Sequence, residues 1–176
     1  MRLKAGDPVI FGRAGEEIAE LEANGIEVMI VPGITSASAM AAALGISLTH
    51  RDHAHSVRFV TGHSRHGALP ENLDWRGLTD PETTLVIYMG GETDREFAHR
   101  LIQNGRAAST PVVVMRDVSR VNETRWAGTL GDLAWRTVQG KSDQPVLIGI
   151  GHAFAACMEQ RQCKTGIHAA PQVRVG

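Results

Sequence analysis

The sequence predicts an α/β protein, and three observations carry that prediction. Short apolar runs rich in β-branched residues, Ile26 to Val31 (IEVMIV), Thr84 to Met89 (TLVIYM), Pro111 to Met115 (PVVVM) and Pro145 to Gly149 (PVLIG), read as strands buried on both faces. Between them, apolar residues recur at helical spacing, as in Phe97, Ala98, Leu101 and Ile102 before Gly105. Turns marked by glycine and proline separate the two kinds of segment, beginning with Gly6-Asp7-Pro8.

That first turn has two readings. Gly6 lets the backbone approach a ligand with no Cβ in the way, Asp7 offers acceptors and Pro8 fixes the backbone angle. The same three residues also make an ordinary capped turn. The helix that follows carries Glu16, Glu17, Glu20 and Glu22 on a solvated face against Ile18, Ala19, Leu21 and Ala23, and stops at Asn24-Gly25. IEVMIV is then expected as a buried parallel strand. Ligands in such sheets sit beyond the carboxyl ends of strands, where Pro32, Gly33, Ile34, Thr35 and Ser36 fall. Thr35 or Ser36 can equally cap the Ala-rich helix from Ala37 to Leu44.

His50, His53 and His55, with Arg51 and Asp52 among them, lack the spacing of a recognised metal-ligand set and read as a polar linker between domains. Val57 to Thr61 (VRFVT) alternates as a half-buried strand. The long stretch from Gly62 to Pro81, with His63, His66, Pro70 and Trp75, reads as a loop that folds over a cleft. Met89, at a strand end, either fills core or packs on a flat ring. Arg125 to Thr129 is an antiparallel strand, and Leu130 to Val138 a short helix with Trp135 on its apolar side. Beyond Gly151 a short helix followed by disorder is expected.

With 176 residues and 43% hydrophobic content, the chain can bury one good core or two small ones. No window approaches the roughly 18 apolar residues of a membrane span, and a net charge of −1 gives no attraction to nucleic acid or to a membrane surface. A cytoplasmic protein is expected. Cys157 and Cys163 form neither a CxxC motif nor a disulfide framework, which suits free thiols in a reducing compartment.

The runs RLKAGDPVIFGR, VPGITSA, GISLTHRD and DWRGLTDPETTLVIYMG, in that order, closely resemble the uroporphyrinogen-III C-methyltransferases of the tetrapyrrole methylase family. The likeness covers about residues 1 to 151 and fades beyond. It implies a tetrapyrrole methylase-like fold: two α/β domains with an S-adenosylmethionine cleft between them. Here the first domain is expected to be incomplete, with its remnant at 1–50, the second domain at 51–155 and a poorly ordered tail at 156–176. The resemblance assigns Ala5, Gly6, Asp7, Ile10, Thr35, Ser36, Met89 and Val118 to the cofactor, and Arg51 to a substrate carboxylate. Relatives usually have Gly at the position of Ala5, commonly Gly at that of Val118, and often a small residue at that of Ser36. The family's proton-transfer residues have no counterpart here, so the catalytic residues are unknown, and no metal is implied. The activity implied is methylation of uroporphyrinogen III by a homodimer, toward sirohaem or cobalamin. The alternatives are an inactive remnant that binds ligand or dimerises, and a methylase for a later corrin precursor.

Overall fold

The computed structural model describes residues 1–63, 68–136 and 144–163, without the side chains of 160–163. Two helices come first, α1 (Ala14–Ala23) and α2 (Ser36–Leu44). There follow β1 (Ser56–Thr61), the short α3 (Trp75–Leu78), β2 (Thr83–Tyr88), α4 (Asp94–Gln103), β3 (Pro111–Arg116), β4 (Thr124–Thr129), α5 (Leu130–Trp135) and β5 (Val146–Ile150). A 3-10 turn (His152–Phe154) leads into α6 (Ala155–Cys163).

The five strands form one mixed sheet in the order β1-β2-β5-β3-β4. β1 pairs with β2 in parallel, β5 runs antiparallel to both β2 and β3, and β4 is antiparallel to β3. β1, β2 and β3 therefore end at the same edge. The buried β2 and β5 and the centre of β3 correspond to three of the apolar runs, since strands covered on both faces favour near-continuous apolar residues.

Alternation along these strands supplies two cores. Leu85, Ile87, Val112, Val114, Ile148 and Ile150 face α4 and α5, meeting Phe97, Leu101, Leu130 and Leu133. Val86, Tyr88, Val113, Met115 and Leu147 face the other way, toward Ala37 and Met40 of α2 and Phe154 and Cys157 near the chain's end. Each large buried side chain contributes about 1.5–3 kcal/mol over exposure. Phe154 lies against Gly149, where an added Cβ would overlap the phenyl ring. Thr129 begins α5 with a capping box: its hydroxyl accepts from Asp132 N, and Asp132 accepts from Thr129 N.

Three expectations are corrected. IEVMIV forms no strand: Met29 is 86% and Val31 70% exposed, and among the described residues nothing lies beside them to complete a ladder. Trp135 is 78% exposed and packs edge-on against His99 instead of entering the core. Phe59, on the free edge of β1, is also exposed. The short helix expected beyond Gly151 is present as α6, and buried Cys157 anchors it to the second core. Burial pushes the Cys157 thiol up, away from thiolate. His66, Val138, Lys164 and His168 lie outside the described residues.

Candidate functional site

Four segments carry the cofactor residues expected from the sequence, and the structure brings them together at one end of the second core. The first is the turn at Gly6-Asp7-Pro8. Gly6 has φ 68°, a conformation that suits glycine, and an added Cβ there would stand 3.5 Å from the Ile34 carbonyl oxygen. Gly33 approaches from the other side, so close that its own Cβ would overlap the Gly6 carbonyl. Asp7 fastens the two loops, with Oδ1 accepting from Val9 N at 2.9 Å and Oδ2 from Gly33 N at 3.2 Å. Asp7 thus makes the turn cap and also joins the two candidate ligand loops.

The second segment is the start of α2. Thr35 occupies the N-cap position, yet its hydroxyl makes no capping bond. It meets the Tyr88 hydroxyl at 2.6 Å instead, and that same phenol oxygen accepts from Ala37 N at 3.1 Å. The tyrosine of β2 therefore caps α2 from across the core. Ser36 is exposed on the first turn of the helix.

The third and fourth segments follow the carboxyl ends of β2 and β3. Met89 is 48% exposed with φ 57°. Val118 packs with Ile10 against the second core, between Asp117 (φ 49°) and Ser119 (φ 65°). Val118 itself needs no positive φ, so a residue other than glycine is tolerated at this position. Among the described residues, the five non-glycine positions with positive φ are Phe11, Arg13, Met89, Asp117 and Ser119, and the last three lie in these segments. Such conformations cost of order 1–3 kcal/mol and cluster where a site needs a fixed shape.

Sequence reasoning missed Tyr88 and Phe11. Their rings stand 4.9 Å apart, and Phe59 meets Tyr88 edge-on at 5.8 Å. The available signal was that a tyrosine on the buried face of a strand needs a partner for its hydroxyl.

Arg51 is not part of this grouping. It lies in the turn closed by His50 and Ala54, where His50 and His53 stack at 4.0 Å and His53 meets His152. His152 follows β5, so this turn sits at the opposite edge of the sheet from Met89. His55 bonds Glu82 and the Arg51 carbonyl, and the carbonyl first, then Glu82, raise its pKa. Among the described residues no group of three or more His, Cys, Asp or Glu is arranged to hold a metal ion. No helix of the described residues is long and apolar enough to cross a membrane. A cavity of about 380 Å³ is lined by Arg2, Lys4, Gly12, Arg13, Glu16 and Glu17. Its charges pair with one another, and Lys4, then Arg2, hold the Glu17 carboxyl below its ordinary range.

The pattern shared by the Tetrapyrrole (Corrin/Porphyrin) Methylases matches residues 1–134. The chain belongs to the tetrapyrrole methylase family. It is 48% identical over 151 residues to the siroheme synthase of Stutzerimonas stutzeri, a match that covers 86% of this chain and 32% of that protein. The siroheme synthase of Chromobacterium violaceum gives the same identity and coverage. The fold superposes on the uroporphyrin-III C-methyltransferase of Thermus thermophilus with a TM-score of 0.73 and 34% identity, covering 86% of this chain and 62% of that one. The same Thermus enzyme complexed with S-adenyl homocysteine also gives a TM-score of 0.73. A cobalt precorrin-4 methyltransferase follows at a TM-score of 0.71 and 28% identity, covering 62% of that chain. The α/β tetrapyrrole methylase-like fold anticipated from the sequence is therefore the fold of this chain. The chain spans less than a third of the length of the siroheme synthases and under two thirds of the length of these methyltransferases.

Proposed function

We propose that this chain forms the S-adenosylmethionine side of a C-methyltransferase site acting on uroporphyrinogen III. The observation that carries the reading is the meeting of Gly6-Asp7 with Gly33, and of Thr35 with Tyr88, beside Met89 and Val118. The donor set fits such a cofactor. Backbone at Gly6 and Gly33 is free of Cβ atoms, Thr35 supplies a hydroxyl, and Ile10, Met89 and Val118 supply apolar surface for a flat ring. Ala5 and Ser36 border the same loops.

S-adenosylmethionine supplies an electrophilic methyl group when bound. The residues named here position it. Holding a donor in a near-attack geometry against an electron-rich pyrrole carbon contributes much of such a barrier's reduction. Asp7 has both carboxylate oxygens engaged by backbone amides and serves the loops' shape, not proton removal. This chain spans under two thirds of the methyltransferase it superposes on, so on this reading the 176 residues alone are expected to bind the cofactor weakly and to turn over little substrate.

Identity of 48% to siroheme synthases and 34% to a uroporphyrin-III methyltransferase favours uroporphyrinogen III over a later corrin precursor. The exposed Leu3, Met29, Val31 and Ile34 fit a protein that meets a further domain or a second copy in the cytoplasm. The division into a unit at 1–50 and a unit at 51–155 belongs to the same proposal, with Arg51 at their junction and away from the cofactor loops.

The test is a chimera in which this chain replaces the matching stretch of the Stutzerimonas stutzeri siroheme synthase. Labelled methyl should pass from S-adenosylmethionine to uroporphyrinogen III, and Asp7→Ala should abolish the transfer. A folded chimera that binds S-adenosylmethionine but leaves uroporphyrinogen III unmethylated would reject the substrate assignment.

A further inference from the structure

The contact between the Thr35 and Tyr88 hydroxyls has a direction. Either oxygen could donate at 2.6 Å, but the surroundings decide which one does. Tyr88 is 8% exposed, and its oxygen already accepts the Ala37 amide N–H. Its own proton must then find an acceptor, because a buried phenol hydroxyl is rarely left without one. Among the described residues, Thr35 Oγ1 is the acceptor within reach. The opposite polarity would give the phenol oxygen two donors and leave its proton unused. We infer that Tyr88 donates to Thr35, and that Thr35 turns its own hydroxyl proton outward, so that the loop 33–36 recognises a hydrogen-bond acceptor.

The chain of donors runs from Ala37 N–H through Tyr88 and Thr35 to the ligand, and each bond polarises the next. Thr35 does not spend its proton or its lone pairs on the helix, since it makes no side-chain cap. It is half-buried, so the hydroxyl remains within reach of a bound molecule. Phe11 and Phe59 pack on the Tyr88 ring and hold the phenol in place. Tyr88 is accordingly a positioning residue that acts through Thr35. The chemistry selected is a carboxylate or a ring nitrogen in preference to an ammonium or N–H group. The identity of the ligand rests on the proposed methyl-donor reading, whose cofactor carries both kinds of acceptor; the polarity rests on the geometry alone.

Tyr88 is the only tyrosine of the sequence, so its hydrogen bonding can be read directly. The Raman Fermi doublet of tyrosine distinguishes a phenol that donates and accepts from one that only accepts. Thr35→Val should move the doublet from the first state to the second; an unchanged doublet would overturn the inference. Calorimetric titration with S-adenosylhomocysteine supplies the ligand arm. Thr35→Ser should bind as wild type, while Thr35→Val and Tyr88→Phe should each weaken binding about tenfold. The double variant should bind no more weakly than Thr35→Val alone, because Tyr88 reaches the ligand only through that hydroxyl, its bond from Ala37 N serving the helix start. Additive losses would overturn the relay. A doublet that moves on Thr35→Val, in a protein whose wild type binds no S-adenosylhomocysteine, would reject the methyl-donor reading and uphold the polarity.

Discussion

Gly33→Ala is the substitution that most sharply separates ligand geometry from fold stability. A Cβ built at Gly33 overlaps the Gly6 carbonyl oxygen, and lies 3.0 Å from its carbon and 3.4 Å from Asp7 Cα. All three are backbone atoms, so no side-chain rotation relieves the clash. The two loops must part by about 1 Å to restore an ordinary C···O contact of ~3.3 Å. That displacement lengthens the 3.2 Å bond from Gly33 N to Asp7 beyond hydrogen-bonding range. The lost bond and the displaced loop cost on the order of 1–3 kcal/mol locally. Gly6 and Gly33 lie outside both cores, so the global unfolding free energy should fall by no more than that local cost of about 1–3 kcal/mol and the fold should persist. Binding of S-adenosylhomocysteine should weaken tenfold or more, since about 1.4 kcal/mol corresponds to a factor of ten. Gly15→Ala is the matched control. Nothing lies within 4 Å of a Cβ there, and alanine in a helix gains about 0.5–1 kcal/mol over glycine. Circular dichroism and calorimetry on both variants decide the matter. A folded Gly33→Ala chain that binds as wild type would refute the assignment of these loops.

Other outcomes follow from the packing and the charges. Phe154→Ala empties the space over Gly149 and should cost about 3–5 kcal/mol in denaturant unfolding, whereas Trp135→Ala should stay within about 0.5 kcal/mol because the indole is 78% exposed. His55 has a raised pKa, so its contribution is fully present below its unfolded value of about 6.5 and is lost as pH rises through the folded value. Glu82→Gln should therefore destabilise the chain in mildly acidic buffer and make little difference at alkaline pH; equal effects at both would remove the ion pair from the account. Asp94 is 2% exposed and burial raises its carboxyl, so ionisation at neutral pH works against the fold. Asp94→Asn should gain stability over wild type at pH 7, with the gain vanishing in acid; a loss at pH 7 would show that Arg95 N and the nearby arginines outweigh the burial cost.

Much of the sheet could be read from the sequence because the centres of β2, β3 and β5 are buried on both faces and so form nearly continuous apolar runs. IEVMIV has the same pattern and forms no strand. Periodicity reports how a segment would pack, and pairing depends on whether another strand lies alongside. Trp135 likewise has the right spacing for the inner face of α5, but the helix ends there and the ring turns toward His99. The turn residues Gly6, Asp7 and Gly33 were legible because glycine and proline punctuation is local. The link from Thr35 to Tyr88 spans 53 positions and appears only once β2 and α2 have packed together. The expectation for Arg51 rests on the family resemblance of its segment, and the stacked histidines hold that turn at the far edge of the sheet from Met89.

The most direct test of the central claim is an amide NMR titration of the isotopically labelled chain with S-adenosylhomocysteine. Shifts confined to Gly6, Asp7, Gly33 to Ser36, Met89 and Val118 are the predicted result. Shifts centred on the turn at His50 to Ala54, or on the charged cavity at Lys4 and Glu17, would contradict it.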